Sequence, residues 1–147
     1  MEMQNEIQKQ FRDKQEKYVY YLIALCVASI GFSITKTTGE SLKLIQIPLA
    51  LAVISWGLSI YCGLTFMSFV LSTLYANDKL FDIQAGRFPE VGNNKKLIEY
   101  AQDLMFDILN NSSDKASRYG KYQDKLFYLG VILYIIWHLL EMYSISI

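Results

Sequence analysis

The sequence has little of what most enzymes use. Its 147 residues include one histidine, His138, and two cysteines, Cys26 and Cys62. One histidine leaves little capacity for general acid–base catalysis, and the chain has no glycine-rich phosphate loop, no Ser-His-Asp order and no HExxH motif. The cysteines lie in apolar stretches and are too few for a disulfide framework or a metal site. We therefore expect a protein that is not an enzyme and that needs no cofactor or metal.

The chain also lacks net charge, because 14 basic residues balance 14 acidic ones. A neutral chain has no global field that would draw it to nucleic acid. Of the 28 charged residues, 24 fall within residues 1–17 and 76–125, which leaves long stretches without any charge. A charge at the centre of a bilayer costs about 2.5–3.5 kcal/mol, so this segregation indicates a membrane protein.

Three stretches are candidates for membrane spans. Residues 18–35 carry no charge over 18 residues, which is just enough to cross a hydrocarbon core of about 30 Å. Residues 44–77 are also uncharged, and Pro48 suits the first turn of a long helix there. Residues 126–147 are apolar except for His138 and Glu141. The predicted fold is an all-α membrane protein with three transmembrane helices and a helical cytoplasmic region.

The predicted regions follow from these spans. Residues 1–17 form a charged N-terminal helix that runs into the membrane, and residues 18–77 form a transmembrane helical hairpin. Residues 78–125 form the cytoplasmic helical region, and residues 126–147 form the third transmembrane helix. Gly86, Pro89 and Gly92 indicate a loop or short helical pieces over residues 78–93. The run Asn-Asn-Ser-Ser at residues 110–113 predicts a helix end, with a serine capping the next helix.

An apolar stripe with the period of a helix crosses the cytoplasmic region. Its members are Leu97, Ile98, Ala101, Leu104, Met105, Ile108 and Leu109. We expect this stripe to be the core of a small bundle with the N-terminal helix. Alternatively, it lies on the membrane or forms an oligomer contact.

The distribution of basic residues predicts the orientation. Residues 1–17 and 76–125 hold 12 lysines and arginines, whereas the loop over residues 36–43 holds two. By the positive-inside rule the N-terminus and residues 76–125 are cytoplasmic, and the protein is a multi-pass protein of the plasma (inner) membrane. The balanced charges of residues 1–17, with no small-residue cleavage site after the first apolar run, do not fit a signal peptide.

Two sets of residues within the spans are candidates for lining a pore. The second span carries small residues with a spacing of four, at Ser55, Ser59 and Gly63 and again at Ser68 and Ser72. Small residues with this spacing permit close packing of helices, so packing within one chain is the alternative to a pore lining. On the third span, His138 and Glu141 lie one turn apart and are either a gate or an anchor at the membrane interface. A three-span chain cannot enclose a conduit alone, so a pore requires a homo-oligomer.

A basic and aromatic stretch precedes the third span. Its candidate ligand-binding residues are Lys115, Arg118, Tyr119, Lys121, Tyr122 and Lys125. Bases and tyrosines in alternation bind phosphates and stack on nucleobases. The same composition also results from positive-inside anchoring and from contact with anionic lipid.

Four segments carry a resemblance to small bacterial membrane proteins: D-K-Q-E-K-Y-V-Y-Y-L-I-A-L, S-I-T-K-T-T-G-E-S-L, W-G-L-S-I-Y-C-G-L and L-S-T-L-Y-A-N. The layout of a helical hairpin with a cytoplasmic helical region resembles the small transmembrane effectors of bacterial antiphage systems. These effectors include the two-span SLATT group and the membrane effector of the Hailong system, whose partner is a nucleotidyltransferase.

The resemblance implies an oligomeric channel, controlled by a nucleotide or oligonucleotide, that depolarises an infected cell. We accordingly expect a homo-oligomeric channel or membrane-disrupting effector in antiviral defence, with the bilayer, such a ligand and a cytoplasmic nucleotidyltransferase as its partners. Two alternatives stay open. One is a holin-like lesion former without a ligand, and the other is a non-conducting scaffold that recruits a cytoplasmic partner.

Overall fold

The computed structural model describes residues 2–41, 43–90, 92 and 94–145, and over these residues the chain is helical without any β-strand. Three α-helices follow one another: α1 over Glu2–Thr37, α2 over Ile47–Gln84 and α3 over Lys95–Ile145. A 3₁₀ turn, Leu44–Gln46, leads into α2. Pro48 therefore falls in the first turn of α2, as predicted.

Each of the three helices is long and apolar enough to cross a membrane. α1 is continuous over 36 residues, so the charged N-terminal segment and the first apolar stretch belong to one helix. At about 1.5 Å per residue, the 38 residues of α2 extend over about 57 Å. A hydrocarbon core of about 30 Å would accommodate only part of this length, so the rest must tilt or extend beyond it.

The prediction that the second helix ends before residue 78 is wrong, because α2 continues to Gln84. The charges of Asp78 and Lys79 are compatible with a helix outside an apolar environment and do not interrupt it. The helix ends just before Gly86, whose φ of 67° lies in the left-handed region. Gly92, in the segment that follows, is also left-handed, with φ 53°. The Gly86 N–H donates to the Ile83 carbonyl at 3.1 Å, which closes the end of the helix.

The prediction of a helix end at residues 110–113 is also wrong. α3 runs through this segment without a break over its 51 residues. Asn and Ser are weak helix formers, but each costs only about 0.5–0.7 kcal/mol in a helix interior. The Ser112 side chain is buried within the helix packing instead of capping a new helix. At the true start of α3, the Asn94 side chain accepts a hydrogen bond from the Lys96 N–H at 3.2 Å.

One of two compact units, here called the three-helix unit, comprises Met1–Gly63 and Gly120–Ile147. Its core is the cluster of Cys26, Ala52 and Trp56, on which Phe127 and Tyr134 pack from α3. Large apolar side chains such as Leu25, Ile54 and Ile132 are more than half exposed around this core. An apolar core inside an apolar exterior is the arrangement that a bilayer favours, since lipid replaces water outside.

The other unit, Leu64–Tyr119, is a helical hairpin made from the second part of α2 and the first part of α3. Phe66, Ala76, Leu80 and Ile83 are buried on its α2 side, and Ala116 on its α3 side. In this unit the predicted apolar stripe has a partly buried side and an exposed side. Ile98, Ala101, Met105 and Leu109 are partly buried, whereas Leu97, Leu104 and Ile108 are exposed, together with Tyr100.

The bundle predicted between this stripe and the N-terminal helix stays a prediction. The described side chains of residues 6–15 are all exposed, including those of Ile7 and Phe11. The buried half of the stripe belongs to the hairpin with α2. The predicted regions 1–17, 18–77, 78–125 and 126–147 were defined by charge, so as regions of membrane and cytoplasm they stay predictions.

Candidate functional site

The small residues predicted on the second span form the contact between α2 and α3 in the three-helix unit. The Ser55 hydroxyl donates to the Leu126 carbonyl at 2.7 Å, and the Ser59 hydroxyl donates to the Gln123 carbonyl at 2.9 Å. Both serines are at most 4% exposed. Each bond joins a side chain of α2 to the backbone of α3, so the two helices approach closely along this line.

Gly63 continues this line and packs against a buried glutamine. A Cβ at Gly63 would lie 2.5 Å from Gln123 Nε2, so the site admits no larger residue without movement. Gln123 is 1% exposed, and its Nε2 donates to the Val19 carbonyl of α1 at 3.4 Å. Gln123, which is itself a residue of α3, therefore joins the three helices: it contacts α1 through Val19 and α2 through Ser59 and Gly63.

A second close contact pairs a tryptophan of α2 with a glycine of α3. A Cβ at Gly130 would lie 2.5 Å from Trp56 Nε1, so the indole packs directly on the Gly130 backbone. Trp56 is 2% exposed and its ring centroid lies 5.9 Å from that of Tyr134. The two contacts, Gly63 with Gln123 and Gly130 with Trp56, are reciprocal, with one glycine and one large side chain on each helix.

Two polar atoms in this interior have no hydrogen-bond partner among the described residues: Gln123 Oε1 and Trp56 Nε1. Each such group costs about 1–3 kcal/mol when it is buried. The hydrogen bond of Gln123 Nε2 is also long, at 3.4 Å. The tight steric fit of this interior is therefore combined with incomplete polar pairing.

The residues predicted to line a pore separate into two groups. Ser55, Ser59 and Gly63 are buried inside the three-helix unit, where they pack against α3, the alternative role considered for them. The hydroxyl-bearing residues of the second group, Ser68 and Ser72, lie exposed on α2 in the hairpin unit. On α3, His138 is exposed and Glu141 is half-buried, and the described residues contain no ion pair between them.

The predicted ligand-binding residues all lie on α3. Lys115, Arg118, Lys121, Tyr122 and Lys125 are exposed, and none of these bases forms an ion pair with another described residue. Positions 118, 121, 122 and 125 share one side of the helix by their spacing. Tyr119 differs, because it is half-buried and stacks on Phe69, with ring centroids 5.7 Å apart. Lys115 Nζ also lies 5.7 Å from the Phe69 ring centroid.

No family model, no curated protein and no solved structure matches this chain. The function proposed below therefore rests on the residues of this chain and on the resemblance given above. Within the described part of the chain, no three His, Cys, Asp or Glu side chains come together as ligands for a metal ion. Both cysteines are free thiols and are buried.

Gln123 is one of the residues of this interior that the sequence patterns did not single out. It lies in a stretch rich in lysine and tyrosine, and that composition indicates an exposed surface. The helical spacing of small and apolar residues through this stretch is the pattern that would have indicated a buried Gln123. The buried or half-buried positions Ala116, Tyr119, Gln123, Phe127 and Gly130 follow one another at intervals of three or four residues. This series continues the inner half of the apolar stripe, so Gln123 faces inward.

Proposed function

We propose that the chain is a multi-pass membrane protein that acts as a homo-oligomeric ion channel or membrane-disrupting effector under the control of an anionic ligand. The observation that carries the membrane placement is the exposed apolar surface of three helices that are long enough to span a bilayer. In water such a surface would favour aggregation, whereas lipid solvates it. The bias of 12 basic residues against two supports a cytoplasmic N-terminus in the plasma membrane.

A conduit in this proposal lies between copies of the chain. Trp56, Gln123 and their packing partners fill the contact between α2 and α3 in the three-helix unit, so this contact holds no conduit within one copy. Ser68 and Ser72 on α2 are exposed hydroxyl-bearing residues in an uncharged stretch. They are the residues through which an oligomer would present a polar lining.

The ligand in this proposal binds the exposed bases of α3. Arg118, Lys121 and Lys125 have no carboxylate partner among the described residues, so a phosphate would meet no competing intramolecular pair. Tyr122 is 55% exposed on the same side of the helix and offers a ring on which a nucleobase can stack. Control of opening requires that the ligand bind the open and closed states with different affinity.

The resemblance to antiphage membrane effectors supplies the cellular role in this proposal. A nucleotide or oligonucleotide would be the ligand, a cytoplasmic nucleotidyltransferase would be its source, and depolarisation of an infected cell would be the outcome. Co-expression of such a partner with this chain, followed with a voltage-sensitive dye, tests the role directly.

The channel proposal is tested by thiol modification. We expect Ser72→Cys to react with a charged, water-soluble thiol reagent in membranes and to lose conductance when it has reacted. Ser59→Cys is the matched control, since the same substitution lies in the buried interior, and we expect it to stay unmodified. Conductance that is unaffected in fully modified Ser72→Cys would remove this face from the conduit.

Ligand control is tested by charge reversal. We expect the double variant Arg118→Glu/Lys121→Glu to assemble normally and to lose its response to the ligand, because phosphate binding depends on these charges. Lys9→Glu/Arg12→Glu is the control, with two exposed bases changed on α1. An unchanged response in the α3 variant, or the same loss in both variants, would rule out this binding face.

A non-conducting scaffold is the second candidate, and one observation favours it. Leu97, Tyr100, Leu104 and Ile108 form an exposed apolar ridge on a charged part of α3, outside the uncharged stretches that are predicted to span the membrane. A scaffold predicts a co-purifying protein that is lost in Leu104→Asp and a membrane potential that never changes. A holin-like lesion former predicts depolarisation that is independent of Arg118 and Lys121.

A further inference from the structure

A cavity of about 390 Å³ lies between α1 and the beginning of α2, within the three-helix unit. Its apolar wall includes Ile34 of α1 and Leu49, Val53 and Ile54 of α2. Thr37 and Gln46 add two polar side chains. A volume of several hundred cubic ångströms with mostly apolar walls and a few polar groups is typical of small-molecule and lipid sites.

The cavity is open to the surface at those of its lining residues that are exposed. Ile34 is 58% exposed and Ile54 is 57% exposed, and Ala50, on the first part of α2, is also exposed. Residues 18–35 of α1 and residues 47–77 of α2 carry no charge, and Lys36 follows at the end of α1. If the chain is placed in the membrane as proposed above, the opening faces hydrocarbon, so an acyl chain is the available occupant and water is not.

The lining changes from apolar to polar along the cavity. Thr37 ends α1 and Gln46 immediately precedes α2, so the polar groups lie at the ends of the helices. The Ser33 and Thr37 hydroxyls donate to backbone carbonyls one turn back, at 2.8 Å and 3.0 Å. Their donor capacity is therefore used, and the Ser33 end of the wall is effectively apolar. An occupant with an apolar chain and a polar end matches this gradient.

The loop beside the polar end carries a small excess of positive charge. Lys43 pairs with Glu40 at 3.6 Å, whereas Lys36 forms no ion pair with a described residue and lies over the Phe32 ring at 5.8 Å. A lysine without a carboxylate partner at the end of a span attracts lipid phosphate. The charge at this end thus favours an anionic headgroup.

We propose that the groove between α1 and α2 binds a membrane glycerophospholipid. One acyl chain lies against Ile34, Val53 and Ile54, and the headgroup lies near Thr37, Gln46 and Lys36. This inference rests on the proposed membrane placement, but it does not require that the protein conduct ions.

The test uses the full chain in phosphatidylcholine vesicles that contain phosphatidylglycerol with a diazirine on one acyl chain. After illumination, labelled peptides are identified by mass spectrometry. We expect labelling to concentrate on the segments around residues 34 and 50–54. Ala50→Phe places a large side chain into the opening and should lower this labelling about tenfold. Ala28→Phe is the matched control, because Ala28 is also exposed but lies on α1 outside the cavity.

Labelling spread evenly over the exposed surface of all three helices, or equal labelling in Ala50→Phe and Ala28→Phe, would overturn the lipid site and indicate bulk lipid only. Resistance of the same samples to alkaline extraction is measured in parallel. A protein that is extracted from the vesicles would overturn both the site and the proposed membrane placement. A protein that stays inserted with even labelling would overturn the site alone.

Discussion

Gly63 is a position at which one added carbon should disturb the packing of the three-helix unit. A Cβ there would lie 2.5 Å from Gln123 Nε2, 2.9 Å from Gln123 Cδ and 3.1 Å from Ile23 Cδ1. Because Gln123 is 1% exposed, it cannot move away without breaking its bond to the Val19 carbonyl. Overpacking costs about 1–3 kcal/mol and a lost hydrogen bond about 0.5–1.5 kcal/mol. We expect Gly63→Ala to lower the free energy of unfolding by about 2 kcal/mol, roughly a 30-fold change in the folded-to-unfolded ratio.

The measurement is an unfolding titration of the purified protein in mild detergent, with helix content followed by circular dichroism. Gly57→Ala is the matched control, because Gly57 lies on the same helix and a Cβ there would meet no atom within 4 Å. Alanine is the better helix former by about 0.5–1 kcal/mol. We therefore expect Gly57→Ala to be at least as stable as the parent protein.

Equal stability of the two alanine variants would refute the packing of Gln123 on Gly63. A double-mutant cycle with Gln123→Ala sharpens the comparison. Once the glutamine side chain is absent, the added Cβ at residue 63 has no clash to make, so the two substitutions should couple by about 0.5–3 kcal/mol. Strict additivity would show that any destabilisation of Gly63→Ala has another cause.

Four further variants test the same interior by the same titration. Gly130→Ala should destabilise by about 1–3 kcal/mol, because its Cβ would lie 2.5 Å from Trp56 Nε1; an unchanged Trp56 environment in fluorescence would contradict this. Gln123→Met removes the unpartnered Oε1 and should be neutral within about 1 kcal/mol, whereas Gln123→Glu buries a charge without a cation and should cost about 3–5 kcal/mol at neutral pH, less as the pH falls. Ser59→Ala loses one interhelical bond and should cost about 0.6 kcal/mol, so a loss as large as that of Gly63→Ala would be unexpected.

The sequence predicted three helices of spanning length correctly because the absence of charge over a long stretch is a direct demand of the bilayer. It placed helix ends less well. Two sequence features that predicted helix ends are weak, Asp78-Lys79 and the Asn-Asn-Ser-Ser run at residues 110–113. Each residue in them destabilises a helix by only a fraction of a kcal/mol. Helix packing overrides preferences of this size, and the buried Ser112 shows packing continuing through the predicted break.

The spacing of Ser55, Ser59 and Gly63 predicted close helix packing but not its partner. Identifying α3 as that partner requires knowing which face of α3 is buried. The sequence did not indicate this face, because Gln123 lies among lysines and tyrosines that suggest an exposed surface. Gly130, whose backbone receives Trp56, carries no side chain and therefore no periodic signal. The proposed function is harder still to predict from the sequence, because a channel would need few specific residue types and the chain has no motif whose spacing dictates a chemistry.

The filled interior of the three-helix unit limits how a ligand can open a conduit. Passage through this interior would require Trp56 to leave Gly130, a change comparable to a large core truncation at about 3–5 kcal/mol. The bonds from Ser55 and Ser59 to α3 would also break, at about 0.5–1.5 kcal/mol each. Typical coupling between a ligand site and a second site is about 1–3 kcal/mol, which is less than this cost. The packing therefore favours a form of the proposed channel in which ligand-controlled conductance arises from rearrangement between copies, with the packing of each three-helix unit preserved.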